Sequence, residues 1–166
     1  HLFYGWETAP PQSARWREEI MATVAKRSSE GVQWHGRIPQ RSLDAILPTY
    51  GVWLYPTSFG EGYCIAGMRA TAAGLIPVYR QVAALPEVQF PSPFAVPDRD
   101  WIREGGRSEF SASAIAAVAA SKNGKIDREA YRRFALDHTW EGVADRLLVD
   151  VERRGLLPAR TTPRLE

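Results

Sequence analysis

The stretch that decides the fold is residues 52–79, VWLYPTSFGEGYCIAGMRATAAGLIPVY. Its first four residues are almost wholly apolar and predict a buried strand, and residues 75–79 predict another. Between them, the glycine-containing loop 56–64 leads into residues 65–73, a run of small side chains that predicts a helix ended by Gly74. A strand, a helix and a second strand in this order favour two parallel strands joined by a helical crossover.

The same alternation continues on both sides of this stretch. Short apolar runs predict further strands at residues 1–5, 31–36 and 94–96. Because the strands are continuous apolar runs that alternate with helices, the pattern predicts a doubly wound, Rossmann-like parallel α/β sheet covered on both faces. The remaining helices are predicted at residues 13–27, 39–47, 84–88 and 112–120, after Asp127 as the N-cap, and along the apolar stripe of residues 140–151.

Composition bounds the possible functions. The 166 residues suit one domain, expected over residues 1–157 with a loose tail at 158–166. A net charge of +2 without long runs of like charge argues against nucleic acid as a partner. A lone Cys64 and three scattered histidines give no disulfide and predict no metal site. The sequence contains no apolar run of membrane-spanning length and no signal peptide, so a cytoplasmic setting is expected.

The loop 56–64 is the predicted place for chemistry, because ligands of open parallel sheets bind at the carboxyl ends of the strands. Gly60 and Gly62 allow the backbone to come close to a ligand. Glu61 could accept hydrogen bonds from sugar hydroxyls, or it could simply cap the helix that follows. The N–H groups that open this helix, where unpaired donors attract phosphate, belong to Tyr63, Cys64 and Ile65.

Several sequence motifs resemble those of a known family. The segments PTSFGEGY at residues 56–63, MRATAAG at 68–74 and PV at 77–78 resemble the P-S-x-x-E-G-F-x-x-x-x-x-E-A-M-A-x-G-x-P-V stretch of retaining glycosyltransferases of family four, the group 1 type. Other landmarks follow in the family's order: GRI at 36–38, LPEV at 85–88 and HTW at 138–140. The matched landmarks extend from Leu2 to about Glu152 and cover nearly the whole chain.

The resemblance implies the C-terminal, nucleotide-sugar-binding half of a two-domain GT-B fold. Such enzymes move a sugar from a nucleotide-sugar to an acceptor with retention at the anomeric carbon, and they need neither a metal nor another cofactor. The acceptor binds to an N-terminal domain, which is missing from this chain. The resemblance implies a catalytic role for Glu61 on the donor sugar and donor-binding roles for Gly36, Arg37, Ile38, Ser58, Gly60, Gly62, Tyr63, Cys64, Ile65 and Arg69.

Arg69 is a departure from the family, which has a second carboxylate at this position to bind the ribose hydroxyls. A guanidinium donates hydrogen bonds and cannot accept them, so the affinity for ribose should fall. Two roles remain open for Arg69: a contact to phosphate, or an ion pair with an acid such as Glu61.

The second departure is an absent strand. In the family, a strand and a loop that ends in a basic pair precede the strand that matches residues 1–5. We therefore expect the natural chain to extend upstream of His1, and we expect the sheet to lack its first, central strand, which another chain could replace.

Two other functions stay open. A degenerate, non-catalytic scaffold domain is favoured by Arg69, and a nucleotide-sugar epimerase shares the same two-domain fold. The 166-residue piece is expected to be inactive alone, since the acceptor site and the basic pair are missing. The Cys64 side chain is expected to be inert.

Overall fold

In a computed structural model of the chain, the structure describes residues 1–2, 13–98 and 105–156. Its contacts divide the chain into two units, His1–Ile46 and Leu47–Glu166. Most of the predicted strand at residues 1–5 and the whole predicted tail at 158–166 lie outside the described residues.

In its described residues, the first unit contains two α-helices. Helix α1 covers Ala14–Arg27 and continues into a 3-10 turn, and helix α2 covers Gln40–Ile46. The predicted strand at 31–36 is present as one parallel bridge, in which the N–H of Leu2 donates to Gln33 and its carbonyl accepts from His35, at 2.8 and 2.9 Å.

The second unit is built on two parallel strands. Strand β1 (Val52–Tyr55) pairs with β2 (Ile76–Tyr79), so that Val52 lies opposite Ile76. Helix α3 (Ile65–Ala72) forms the crossover between them. This confirms the parallel pair expected from residues 52–79. The remaining helices are α4 (Leu85–Val88), α5 (Gly106–Lys122), α6 (Arg128–Leu136) and α7 (Trp140–Arg153).

The predicted strand at 94–96 is reduced to a single parallel bridge between Arg80 and Val96. The physical reason lies in Phe94. A second bridge, one step back along both segments, would need the N–H and the carbonyl of Phe94. The N–H of Phe94 instead donates to the Ser92 hydroxyl at 3.2 Å, and its carbonyl accepts from the Ser113 hydroxyl at 2.8 Å, so the ladder does not extend.

The sheet in the described residues is therefore smaller than the doubly wound sheet that the pattern predicts, although each of its pairings is parallel. The class is mixed α/β. Its core is a cluster of buried side chains that strand β2 shares with helices α5 and α6: Ile76, Val78, Val96, Phe110, Ala117 and Tyr131. All four residues of β2 are buried, which explains its continuous apolar run.

Helix α6 begins at the predicted N-cap. The Asp127 carboxylate accepts hydrogen bonds from the N–H groups of Glu129 and Ala130 at 3.0 and 3.1 Å, as expected. The next residue, Arg128, donates to the carbonyl of Gly74 at 2.6 Å and to that of Tyr50. These carbonyls precede β2 and β1, so Arg128 ties α6 to the amino ends of both strands.

Helix α7 differs from the expected pattern of core residues. None of its described side chains is buried, and its apolar stripe is at the surface of the unit, with Trp140 73% and Leu147 61% exposed. No helix in the described ranges combines the length and the apolarity that a bilayer crossing requires.

Candidate functional site

The loop 56–64 leaves the carboxyl end of β1 and ends at helix α3. A bond from the Phe59 N–H to the Thr57 hydroxyl, at 3.0 Å, shapes its first turn. Three of the predicted donor-binding residues in the loop, Ser58, Gly60 and Gly62, are exposed. The loop therefore presents open backbone at the edge of the sheet where ligands of parallel sheets bind.

Glu61 is held by a residue that the sequence analysis did not single out. The Tyr55 hydroxyl donates to Oε1 of Glu61 at 2.5 Å. Burial raises the pKa of Tyr55, and the bond to Glu61 raises this pKa further, so the phenol keeps its proton. The Tyr55 ring stacks on Trp53, with centroids 4.9 Å apart. The carboxylate of Glu61 is therefore held in one position by a packed aromatic pair.

The backbone of Glu61 is also anchored. Its carbonyl accepts a hydrogen bond from the N–H of Ala84, at 3.2 Å, in the segment that follows β2. Ala83 has a φ of 49°, an uncommon left-handed conformation for a residue other than glycine. Such strain is retained only where the surrounding structure enforces it.

Helix α3 begins at Cys64, which also has a left-handed backbone, with φ 58° and ψ 70°. Its carbonyl accepts from Gly67 and Met68, at 3.0 and 3.2 Å, and so opens the helix. The thiol is buried among Tyr79 and Leu85, and this burial raises the pKa of Cys64. A protonated, enclosed thiol agrees with an inert side chain at this position.

The N–H groups of Cys64 and Ile65 point out of the first turn of α3. Within the described residues, neither donates a hydrogen bond to a protein group. Two adjacent donors at a helix N-terminus, where the helix dipole is positive, can receive an anionic oxygen.

Arg80, the residue directly after β2, is a buried cation that contacts this loop. It is only 5% exposed, and it donates to the Thr57 carbonyl at 3.2 Å and to Oδ1 of Asp98 at 2.6 Å. It therefore connects the start of the loop 56–64 to the end of β2. A charged residue directly after a buried strand is a sequence signal that could have identified it.

A cavity of about 430 Å³ opens along one face of α3. Its walls come from α3, from the loop before it, from α6 and α7 and from the connection between these two helices. They are mostly apolar: Tyr63, Ile65, Met68, Arg69, Ala72, Ala135, His138, Trp140 and Val143. Its volume is in the range of small-molecule pockets. Three predicted donor-binding residues, Tyr63, Ile65 and Arg69, contribute to this wall, whereas Glu61 lies outside it.

The structure thus brings together the predicted residues from Ser58 to Arg69 within the second unit. Gly36, Arg37 and Ile38 belong to the first unit, where Gly36 has a left-handed backbone with φ 63°, and their binding role stays a prediction. The sequence analysis missed three residues that bind the loop 56–64 through hydrogen bonds: Tyr55, Arg80 and Gln89, whose side-chain amide donates to the carbonyl of Tyr63 at 3.2 Å. Among the residues that the structure covers, no group of three or more potential ligands could hold a metal ion.

Comparison with known proteins shows the fold. No protein-family model and no curated protein sequence matches the chain. Among solved structures, the chain is similar to the pneumococcal O-GlcNAc transferase GtfA in complex with UDP and GlcNAc, with a TM-score of 0.60 at 17% sequence identity. The match covers 85% of this chain, which spans 27% of the length of the transferase chain. The chain therefore has a glycosyltransferase-like fold.

Proposed function

We propose that this chain binds a nucleotide-sugar and forms the donor-binding, C-terminal half of a retaining glycosyltransferase of the family-four type. Under this proposal the sheet is the doubly wound sheet of a GT-B fold, and an N-terminal acceptor-binding domain outside this chain completes the enzyme in the cytoplasm. Support comes from the likeness to a transferase and from the ordered sequence landmarks. The exposed apolar stripe on α7 supports the presence of a further protein surface.

One observation carries the proposal. The N–H groups of Cys64 and Ile65 are unbonded within the described residues, directly after Glu61, whose carboxylate is fixed by Tyr55. The donors suit a diphosphate, and a fixed carboxylate suits sugar hydroxyls. A sugar diphosphate carries both groups next to each other.

The chemistry assigned to this arrangement is stabilisation of the leaving group. When the bond between the anomeric carbon and the diphosphate breaks, negative charge develops on the phosphate oxygen. Aligned N–H groups at the N-terminus of α3 would stabilise this charge without a metal ion. Glu61 would orient the sugar through its second oxygen, because Tyr55 already binds Oε1.

Isothermal titration of the chain with UDP-, GDP- and ADP-sugars tests the proposal. We expect saturable heat with at least one of them, and weaker binding in Glu61→Gln. The matched control is Glu87→Gln, an exposed glutamate at α4, which should bind as the wild type does. The absence of heat with every nucleotide-sugar would count against a donor site.

A second candidate function is a non-catalytic scaffold, and the position of Arg69 favours it. Arg69 lines the largely apolar cavity, where the family resemblance would place an acid for ribose. The variant Arg69→Glu separates the two functions. A gain in nucleotide affinity would indicate a weakened donor site, whereas unchanged binding would favour the scaffold.

A further inference from the structure

Gln89 follows helix α4, far along the sequence from the loop that it contacts. Its side chain is only 2% exposed. Its amide nitrogen donates to the carbonyl of Tyr63 at 3.2 Å and to that of Cys64 at 3.4 Å. Because both carbonyls are acceptors, the amide must present its NH₂ group to them, which leaves its oxygen on the other side.

These two bonds help to fix where the backbone donors point. In a trans peptide the C=O and the following N–H point in opposite directions within the peptide plane, and the described residues contain no cis peptide. Gln89 donates to the carbonyl of Tyr63, so the N–H of Cys64 points away from Gln89. Gln89, together with the N–H groups of Gly67 and Met68, binds the carbonyl of Cys64, so the N–H of Ile65 also points away from Gln89.

The left-handed backbone at Cys64 makes the two N–H groups neighbours. Successive N–H groups flanking a left-handed residue form a concave anion-binding arrangement. Cys64 has φ 58°, and α3 then adds the positive end of an eight-residue helix. Without a constraint on these two peptide planes, a strained residue of this kind would relax and the donors would diverge.

The oxygen of Gln89 provides an independent observation. Oε1 is buried and has no hydrogen-bond partner among the described residues. It is packed against the first turn of α3, where a Cβ at Gly67 would lie 2.4 Å from Oε1 and 2.7 Å from Cη2 of Trp53. An apolar side chain of similar size would fill this space without an unsatisfied acceptor, so packing alone does not explain a glutamine here.

We propose that Gln89 is a positioning residue, which aims the Cys64 and Ile65 N–H groups at a phosphate oxygen of the ligand. This inference rests on the proposed function, because it needs a diphosphate at the N-terminus of α3. Gln89 itself touches no ligand.

The test uses inorganic pyrophosphate as the probe and ¹⁵N-labelled chain for NMR. In the wild type, pyrophosphate should shift the amide signals of Cys64 and Ile65. In the near-isosteric Gln89→Met, these shifts should shrink and the affinity should fall about threefold to tenfold. The melting temperature should stay within about 5 °C of the wild type, because the variant also removes the unsatisfied oxygen. Gln33→Met, which changes an exposed glutamine, is the matched control.

A second variant changes Gly67, the residue of α3 against which Gln89 packs. Gly67→Ala keeps Gln89 but forces its amide away from α3, so it should weaken pyrophosphate binding in the same way. If Gln89→Met or Gly67→Ala fails to fold, the wild-type spectrum still tests the inference through the Gln89 side-chain NH₂ signals. These signals should be protected from solvent exchange, and rapid exchange would overturn the inference.

The outcomes separate the two proposals. Equal shifts and equal affinity in Gln89→Met would overturn the role of Gln89 and leave the donor site intact. Pyrophosphate shifts confined to other parts of the chain would also overturn it. A wild type that responds neither to pyrophosphate nor to nucleotide-sugars would remove the donor site itself.

Discussion

The hydroxyl of Tyr55 lies 2.5 Å from Oε1 of Glu61, so the last residue of β1 holds the carboxylate of the loop that follows it. The strand is thus both the scaffold of the loop and the direct partner of its acidic side chain. The stacking of Tyr55 on Trp53 restricts the phenol to this geometry. Preorganisation of this kind reduces the conformational entropy that the protein loses when a ligand binds.

Removal of this hydroxyl should weaken ligand binding more than stability. In Tyr55→Phe, Glu61 loses its partner and becomes mobile, so we expect the affinity for a nucleotide-sugar to fall about threefold to tenfold in a calorimetric titration. Tyr79→Phe is the control. It removes a bond from a buried phenol to the Phe90 carbonyl, at 3.2 Å, that does not involve Glu61, and it should lower stability without the loss of affinity that follows the release of Glu61. Equal affinities in wild type and Tyr55→Phe would show that Glu61 needs no partner.

The contact between Arg80 and the loop should contribute to the free energy of unfolding. Arg80→Met leaves the Thr57 carbonyl and Asp98 without their cation, and we expect a loss of about 2 kcal/mol in urea unfolding. Asp98→Asn should cost under about 1 kcal/mol, because the Asp98 side chain is 53% exposed and solvent screens the pair.

An exposed arginine provides the control for this measurement. Arg15→Met breaks a pair with Glu19 on the surface of α1 and should change stability by less than about 0.5 kcal/mol. If Arg80→Met is as mild as Arg15→Met, the loop does not depend on Arg80.

The thiol of Cys64 should react slowly in the folded chain. Burial encloses it and raises its pKa, so little thiolate exists near neutral pH. We expect the rate of modification by a disulfide reagent at pH 8 to increase at least about a hundredfold when the chain is unfolded in guanidinium. A folded chain that reacts as fast as the unfolded one would contradict the burial of this residue.

Asp127 should make part of the stability depend on acid pH. The hydrogen bond from the N–H of Ala130 lowers the pKa of this carboxylate most, and the side chain of Arg133 lowers it further. A lowered pKa in the folded state means that the contribution is present above the ordinary value of roughly 3.9 and is lost as the pH falls through the folded value. Asp127→Ala should lower the melting temperature at pH 7 and flatten its dependence on pH below roughly 4.

The variant Asp127→Asn distinguishes the cap from the charge. Asparagine still caps a helix but does not titrate, so it should retain most of the melting temperature at pH 7 and lose the acid dependence. An unchanged acid dependence would assign that dependence to other carboxylates.

Residues 52–79 were sufficient to predict the centre of the second unit, because continuous apolar runs and small-residue helices are local signals. Helix α5 is longer than expected, since its first turns, from Gly106 to Ser111, are polar on a helix that also buries Phe110. The sheet is smaller than expected, because the hydroxyls of Ser92 and Ser113 bind the backbone groups of Phe94 that a further bridge would need. These features depend on tertiary neighbours, which periodicity does not encode.

The candidate site was predictable in its loop but not in its supports. Glu61 and the glycines beside it form a recognisable motif, whereas Tyr55 ends an apolar strand and Gln89 follows an unremarkable helical turn. Their importance comes from hydrogen bonds between residues 6 and 26 positions apart, as for Tyr55 with Glu61 and for Gln89 with Tyr63. No pattern in one sequence identifies such pairs.

Arg128 joins the carbonyls that precede both strands, at the edge of the sheet opposite the loop 56–64. The contacts of Arg128 and the proposed donor site therefore lie at opposite ends of the same two strands. A protein engineer could strengthen the α6 end and vary the loop as independent operations. Substitutions at the two ends should combine additively, since they share no side-chain partner.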